Sequence, residues 1–250
     1  MKQKFSTLGR SLRASSMLPI TLALSGCVTF SPQAGMDVVA NVAGRELRKD
    51  LAAIRTPEQA AVVQERVDGL LRRPLTADAA VQIALLNNRA LQAAYNELGL
   101  AEAAMVQASL PPNPTFSVQR LSGPASIEIE KRIVANVLAL ATLPARAEIA
   151  ADRFRQAQLR AAEETLRLAA ETRRIYYRAV MQRELTGFLQ QSQTAAEAAT
   201  KVAHRLGETG AMNKLDQARE QVFYAELTAR LATARQRAAS ERERLARVLG

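Results

Sequence analysis

Leu110-Pro111-Pro112-Asn113-Pro114-Thr115-Phe116-Ser117-Val118-Gln119-Arg120-Leu121 is the stretch where the chain changes its period. Upstream, Ala80, Ile83, Ala84, Leu91, Ala94, Leu98, Ala101, Met105 and Ala108 recur at steps of three and four, the stripe of an amphipathic helix. Thr76 is placed to cap that helix and Asp78 falls in its first turn, where the helix dipole favours an acid. The prolines end it, because proline lacks the amide donor and also restricts the residue before it. Downstream the period becomes two. Phe116 and Val118 alternate with polar residues, Ser122-Gly123-Pro124-Ala125 reads as a turn, and the alternation resumes. Ile127, Ile129, Ile133 and Val137 share one face, interrupted only by Lys131, while Glu128, Glu130, Arg132 and Asn136 share the other. The expectation is one β-hairpin over 114–140, with strands of roughly ten residues. Such a hairpin is marginal alone in water, and its apolar-out, polar-in alternation suits a membrane barrel.

Thr142-Leu143-Pro144 opens a second helical region, with Pro144 near the first position where proline is tolerated. No proline follows it. A helix from 144 to about 206 would be ~90 Å long at 1.5 Å per residue. Gly207-Glu208-Thr209-Gly210 breaks the pattern, and a last helix is expected from about 213 to 249. It carries two seams. Leu215, Ala218, Val222, Ala225, Ala229, Ala232, Gln236 and Ala239 repeat as a heptad, and Leu227, Leu231, Ala234, Ala238 and Leu245 lie on another face. Two seams imply neighbours on two sides: a plain antiparallel coiled-coil hairpin, or one stave of a cylinder of helices. Between the N-terminal region and this core, residues 27–40 read as an extended tether and 41–54 as a helix. A further helix runs from Thr56 to about Leu71, with Thr56 as cap, Pro57 at the first position and Gln59 at capping-box spacing. The fold expected is thus mainly α, with helices over 41–110 and 144–250.

Composition agrees. The chain has 250 residues and 48 alanines, but no Trp and only 4% aromatics. Small side chains favour close helix approach over a thick aromatic core. One Cys and one His exclude an internal disulfide framework and make a Cys/His metal site untenable. No phosphate loop, nucleophile elbow, zinc-protease motif or spaced carboxylate pair is present, so neither catalysis nor a cofactor is expected. The lone His204, near the helical tip, reads as a surface residue, and Tyr176 and Tyr177 as packing residues.

Residues 1–16 are basic and acid-free, 17–25 form a short apolar run, and Leu24-Ser25-Gly26-Cys27 follows. This is the layout of a secretory signal, too short to span a bilayer. Leu-Ser-Gly-Cys resembles the bacterial lipobox, which implies that residues 1–26 are removed and that Cys27 is acylated at its sulfur and amine. Val28 stands where an Asp would signal inner-membrane retention, so the outer membrane is expected. Several acyl chains would anchor the chain stably. Removing residues 1–26 takes away four basic and no acidic residues, so the net charge falls from +10 to +6. The remaining arginines interleave with glutamates, as in Glu163-Glu164, Arg167, Glu171 and Arg173-Arg174, which reads as a solvated helix face. No one-signed stripe with aromatics is visible, and nucleic-acid binding is not expected.

The order helix, β-hairpin, very long helix, tip, return helix resembles one repeat of the outer-membrane efflux (TolC-type) family. The match is carried by residues 74–88 (Pro-Leu-Thr-Ala-Asp-Ala-Ala-Val-Gln-Ile-Ala-Leu-Leu-Asn-Asn), Leu91-Gln-Ala-Ala94 and Leu110-Pro-Pro-Asn-Pro-Thr115. Arg205-Leu-Gly207, Leu215-Asp-Gln-Ala-Arg219 and the Arg242–Gly250 ending complete it. The opening of the first stretch and Leu215-Asp-Gln-Ala-Arg-Glu-Gln221 look most like members serving heavy-metal cation exporters. The resemblance implies a homotrimeric, passive export duct. The hairpin would enter an outer-membrane barrel, with Glu128, Glu130 and Arg132 facing the lumen. The tip at Arg205, Leu206, Gly207 and Gly210 would dock a periplasmic adaptor protein serving an inner-membrane pump. The family tip often reads Val-Gly-Leu, which this one does not. Family members carry two repeats and this sequence carries the first, so a truncated duct component is expected. The other class of function is a periplasmic coiled-coil lipoprotein acting as adaptor or scaffold, although the Gly- and Val-rich domains usual in adaptors are absent.

Overall fold

The computed structural model describes residues 30–122 and 127–250, with no side-chain description over 121–128. The expected signal segment, Cys27 and most of the 122–125 turn lie outside the described residues, as does the side chain of Glu128. The chain is mainly helical, with one two-stranded antiparallel sheet among the described residues. It divides into two compact units, one containing 103–152 and the other 32–102 with 153–250.

In the larger unit, α1 (Met36–Val42) continues into a π-helical turn, Ala43–Leu47. The expected tether over 27–40 is therefore helical from Met36 onward, because Met36 and Val39 are buried against Val81, Leu85 and Ala161. The helix expected over 41–54 stops at Leu47. Beyond Arg48, which adopts φ 54, the chain is extended. The reason lies far away in sequence. Gln82 accepts from the Asp50 amide at 3.2 Å and donates to the Asp50 carbonyl at 2.9 Å. Gln92 accepts from Ile54 N at 2.9 Å and donates to Ala52 O at 2.8 Å. These side-chain amides supply partners that a helix would otherwise provide.

α2 (Pro57–Leu71) and α3 (Ala77–Asn87) begin as their spacing predicts. Thr56 Oγ1 accepts from Gln59 N at 3.3 Å and Thr76 Oγ1 from Ala79 N at 3.1 Å. Gln59 reaches back to the Arg55 amide at 2.8 Å, one residue before the cap. The Thr56 hydroxyl also holds the exposed Glu58 carboxyl below its usual range.

The helix expected to run unbroken from Thr76 to Leu110 is two helices, α3 and α4 (Arg89–Ser109), because Asn88 leaves helical geometry at ψ 119. Asn88 then caps α4, accepting from Leu91 N at 3.1 Å, and donates to Val248 O at 3.0 Å. Asn87 donates to Leu249 O at 3.2 Å. The two asparagines thus satisfy carbonyls in the last turn of α7 (Lys214–Leu249). One core joins α1, α3 and α4 to α6 (Leu143–Glu208), and a second lies under α2 and α3 around Val63, Val67, Ile83 and Leu86. Tyr95, 2% exposed, donates to Thr165 Oγ1 at 3.3 Å, since Thr165 itself donates to Ala161 O. Burial pushes the Tyr95 hydroxyl up to about 12.

In the smaller unit, β1 (Thr115–Ser122) pairs with β2 (Ile127–Val134). The pairing ends at Val134, short of the expected 140, because α5 (Val137–Ala141) follows, capped by Asn136 Oδ1 at 2.9 Å from Ala139 N. Val137 accordingly belongs to a helix, not to the strand face assigned from alternation. Among the described residues, no helix is long and apolar enough to cross a membrane.

Candidate functional site

α6 and α7 form an antiparallel pair joined by a single heptad seam. On α6 the seam runs Leu168, Thr172, Ile175, Ala179, Gln182, Thr186, Leu189, Gln193, Ala196, Thr200, Ala203 and Gly207, every position buried or half-buried, and the same stripe continues past the end of α7 to Thr165 and Ala161, which meet α1, α3 and α4 instead. On α7 it runs Gln217, Glu220, Tyr224, Leu227, Leu231, Ala234, Ala238, Glu241, Leu245 and Val248. Gln193 donates to the Tyr224 hydroxyl at 3.3 Å, Thr200 to Glu220 O at 3.3 Å, and Arg235 to Gln190, which fixes the antiparallel register. The α7 half contains all five residues assigned to its second seam from sequence. The α6 half is not apparent in the sequence, because about two-fifths of it is Thr or Gln. The threonines lose their polar character by donating to carbonyls four residues back, as Thr165, Thr172, Thr186 and Thr200 all do.

The first α7 seam has no partner among the described residues. Leu215, Ala218, Val222, Ala225, Ala229, Ala232, Gln236 and Ala239 are all exposed, Val222 at 67%, whereas Leu231 on the filled seam is at 3%. α6 shows the same division. Tyr177, Met181, Glu184, Phe188, Gln191, Ala195, Ala198 and Val202 follow a heptad of their own and are all exposed. At 100° per residue each open seam, two positions away from the filled one, lies about 160° round its helix from it. Tyr177 was read from sequence as a packing residue; it is 60% exposed, and only Tyr176 is tied inward, to Leu75 O at 2.8 Å.

The four tip residues named from sequence come together in the turn between α6 and α7. Ala211 N donates to Leu206 O at 2.8 Å and Gly210 N to Gly207 O at 3.1 Å. This is a Schellman cap, with Gly210 at φ 77 in the left-handed position that glycine favours. Gly207 makes room instead for a side chain: the Gln217 amide lies where its Cβ would be. Gln217 donates on to Met212 O at 3.0 Å, and Asn213 caps α7 through Asp216 N at 2.9 Å. Arg205 and Leu206 are exposed beside these glycines. Around them are exposed ion pairs, Lys201–Glu197 at 2.8 Å and Arg219–Asp216 at 3.1 Å, and the His204 ring lies 3.3 Å from the Glu208 carboxyl. The carboxylate of Glu197 raises the Lys201 ammonium above its usual range.

The hairpin register places Ser117 opposite Arg132 and Gln119 opposite Glu130 on one face. Glu130 and Arg132 pair with each other there. Phe116 faces Ile133, and Val118 faces Lys131, on the other face, where Phe116, Val118, Ile129 and Ile133 are all exposed. The alternation inferred from sequence is therefore present, with neither face covered.

Sequence reading missed one concentration of charge. Arg174 and Arg178 on α6 and Arg244 and Arg247 on α7 line a common cleft. They lie some seventy residues apart, and only the hairpin register brings them together. No family model, curated protein or solved structure matches the chain.

Proposed function

We propose that this chain is a lipid-anchored, outer-membrane component of an export duct, acting by passive conduction and docking. The observation that carries the reading is the hairpin of α6 and α7, with one filled seam between its helices and an open heptad on each. A hairpin satisfied by itself needs one seam. Two further apolar heptads, rich in Ala and carrying Val222, Phe188 and Met181, suit a stave packed between neighbouring staves. The β-hairpin supports the same reading, since its uncovered apolar face suits contact with lipid and its polar face, with Glu130 and Arg132, suits an aqueous lumen. In this account the turn at Arg205, Leu206, Gly207 and Gly210 docks a periplasmic adaptor that serves an inner-membrane pump. The resemblance to TolC-type repeats adds a homotrimer.

The test is expression of the full chain with and without globomycin, followed by membrane fractionation. Export and acylation at Cys27 put the chain in the outer-membrane fraction, and globomycin blocks its maturation. A soluble, unacylated periplasmic product would contradict the proposal. Protease digestion of intact outer membranes separates it from the coiled-coil scaffold reading: residues 115–134 are protected in a barrel and cleaved in a scaffold.

A further inference from the structure

Beside the α3–α4 junction, α6 and α7 border a cleft of about 540 Å3, within the ordinary size range of ligand sites. Six charged side chains line it: Arg167, Glu171, Arg174 and Arg178 from α6, and Arg244 and Arg247 from α7. Five are cations and one is a carboxylate. Some arginines on these helices pair with an acid within one turn, as Arg219 with Asp216 and Arg230 with Glu226. Arg167 and Arg244 follow that pattern, with Glu164 and Glu241. Arg174, Arg178 and Arg247 form no ion pair among the described residues. Cations from two facing helices therefore share one concavity, and they repel unless an anion occupies it. Ala90, in the first turn of α4, lines the same cleft, so the positive end of that helix meets the negative end of α7 at Val248 there, and the arginines set the sign of the field.

We propose that this cleft binds an anion carrying two or more phosphate groups. Guanidinium forks match phosphate oxygens two at a time, which a lysine cluster would not do. The cationic groups come from two helices, so one monovalent carboxylate cannot serve both flanks, whereas each phosphate brings a charge of about −1.5 to −2. The ligand is either a soluble polyphosphate-type anion or a phosphorylated lipid headgroup. This inference does not depend on the export reading, since it needs only the α6–α7 register.

The experiment is calorimetric titration of the full chain in detergent with inorganic pyrophosphate at low salt. The expected result is saturable binding that weakens as NaCl screens it. Arg178→Gln with Arg247→Gln weakens it at least about tenfold, the loss expected for two charge-assisted contacts, while Arg219→Gln leaves it unchanged. Arg178→Lys with Arg247→Lys keeps the charge and falls between the two, which separates lost recognition from lost folding. A short-chain cardiolipin, whose headgroup carries two phosphates, below its micellar concentration identifies the source. Tighter binding than pyrophosphate, in competition with it, assigns a lipid headgroup; absence of competition assigns a soluble anion. Failure to saturate with pyrophosphate, equal binding by the double glutamine variant, or binding of a glutamate-rich peptide in place of pyrophosphate would overturn the proposal.

Discussion

The side-chain amide of Gln217 lies across Gly207, joining the start of α7 to the last turns of α6 through a space that any Cβ would fill. Two opposing effects then set the outcome of Gly207→Ala. Alanine favours the helix by about 1 kcal/mol over glycine. Displacing Gln217 loses its bond to Met212 O, also worth about 1 kcal/mol. Urea unfolding followed by circular dichroism should show little net change for Gly207→Ala. In a Gln217→Ala background the same substitution should stabilise by about 0.5–1 kcal/mol, because nothing remains to be displaced.

Gly210 behaves differently because its constraint is backbone conformation. At φ 77 an alanine is strained, so Gly210→Ala should cost about 1 kcal/mol. Asparagine tolerates the left-handed region better, and Gly210→Asn should cost less than Gly210→Ala in the same unfolding assay.

Tyr95 gives the molecule a pH dependence with a definite sign. Burial raises its folded value to about 12, above that of an exposed phenol. The folded state therefore keeps the proton where the unfolded chain has lost it. The contribution to stability is fully present below pH 10 and declines as pH rises from about 10 to about 12. Absorbance at 295 nm should resolve one phenol titrating late, and Tyr95→Phe should remove it. Thr165→Val leaves the Tyr95 hydroxyl without its acceptor and should cost about 1–3 kcal/mol.

The filled and open seams predict opposite responses to substitution. Leu231→Ala, in the filled seam, should cost about 2–3 kcal/mol. Val222→Asp, in the open seam, should leave the monomer's unfolding within about 0.5 kcal/mol.

Local signals were legible in the sequence and long-range ones were not. The caps at Thr56 and Thr76 depend on residues three positions away, and both form. The proline block at 111–114 ends α4 and the period-two alternation pairs as expected. What escaped was decided across the fold. The extended segment after Arg48 exists because Gln82 and Gln92 partner its backbone. The break at Asn88 is held by carbonyls 160 and more residues downstream. The α6 seam was hidden by threonines that look polar until their hydroxyls bond to their own helix. At the site, the tip glycines were legible because a helix stop is a local event. The arginine cleft was not, because Arg174 and Arg178 lie some seventy residues from Arg244 and Arg247 in sequence and meet them only through the α6–α7 register.

The account stands most directly on whether the open seams are filled by other copies of the chain. The mass of the acylated chain, extracted from outer membranes in detergent and measured by native mass spectrometry, tests this. The account predicts an oligomer of lipid-bearing chains, reduced to monomers by Val222→Asp. A parental chain that is monomeric in detergent at all concentrations would contradict it.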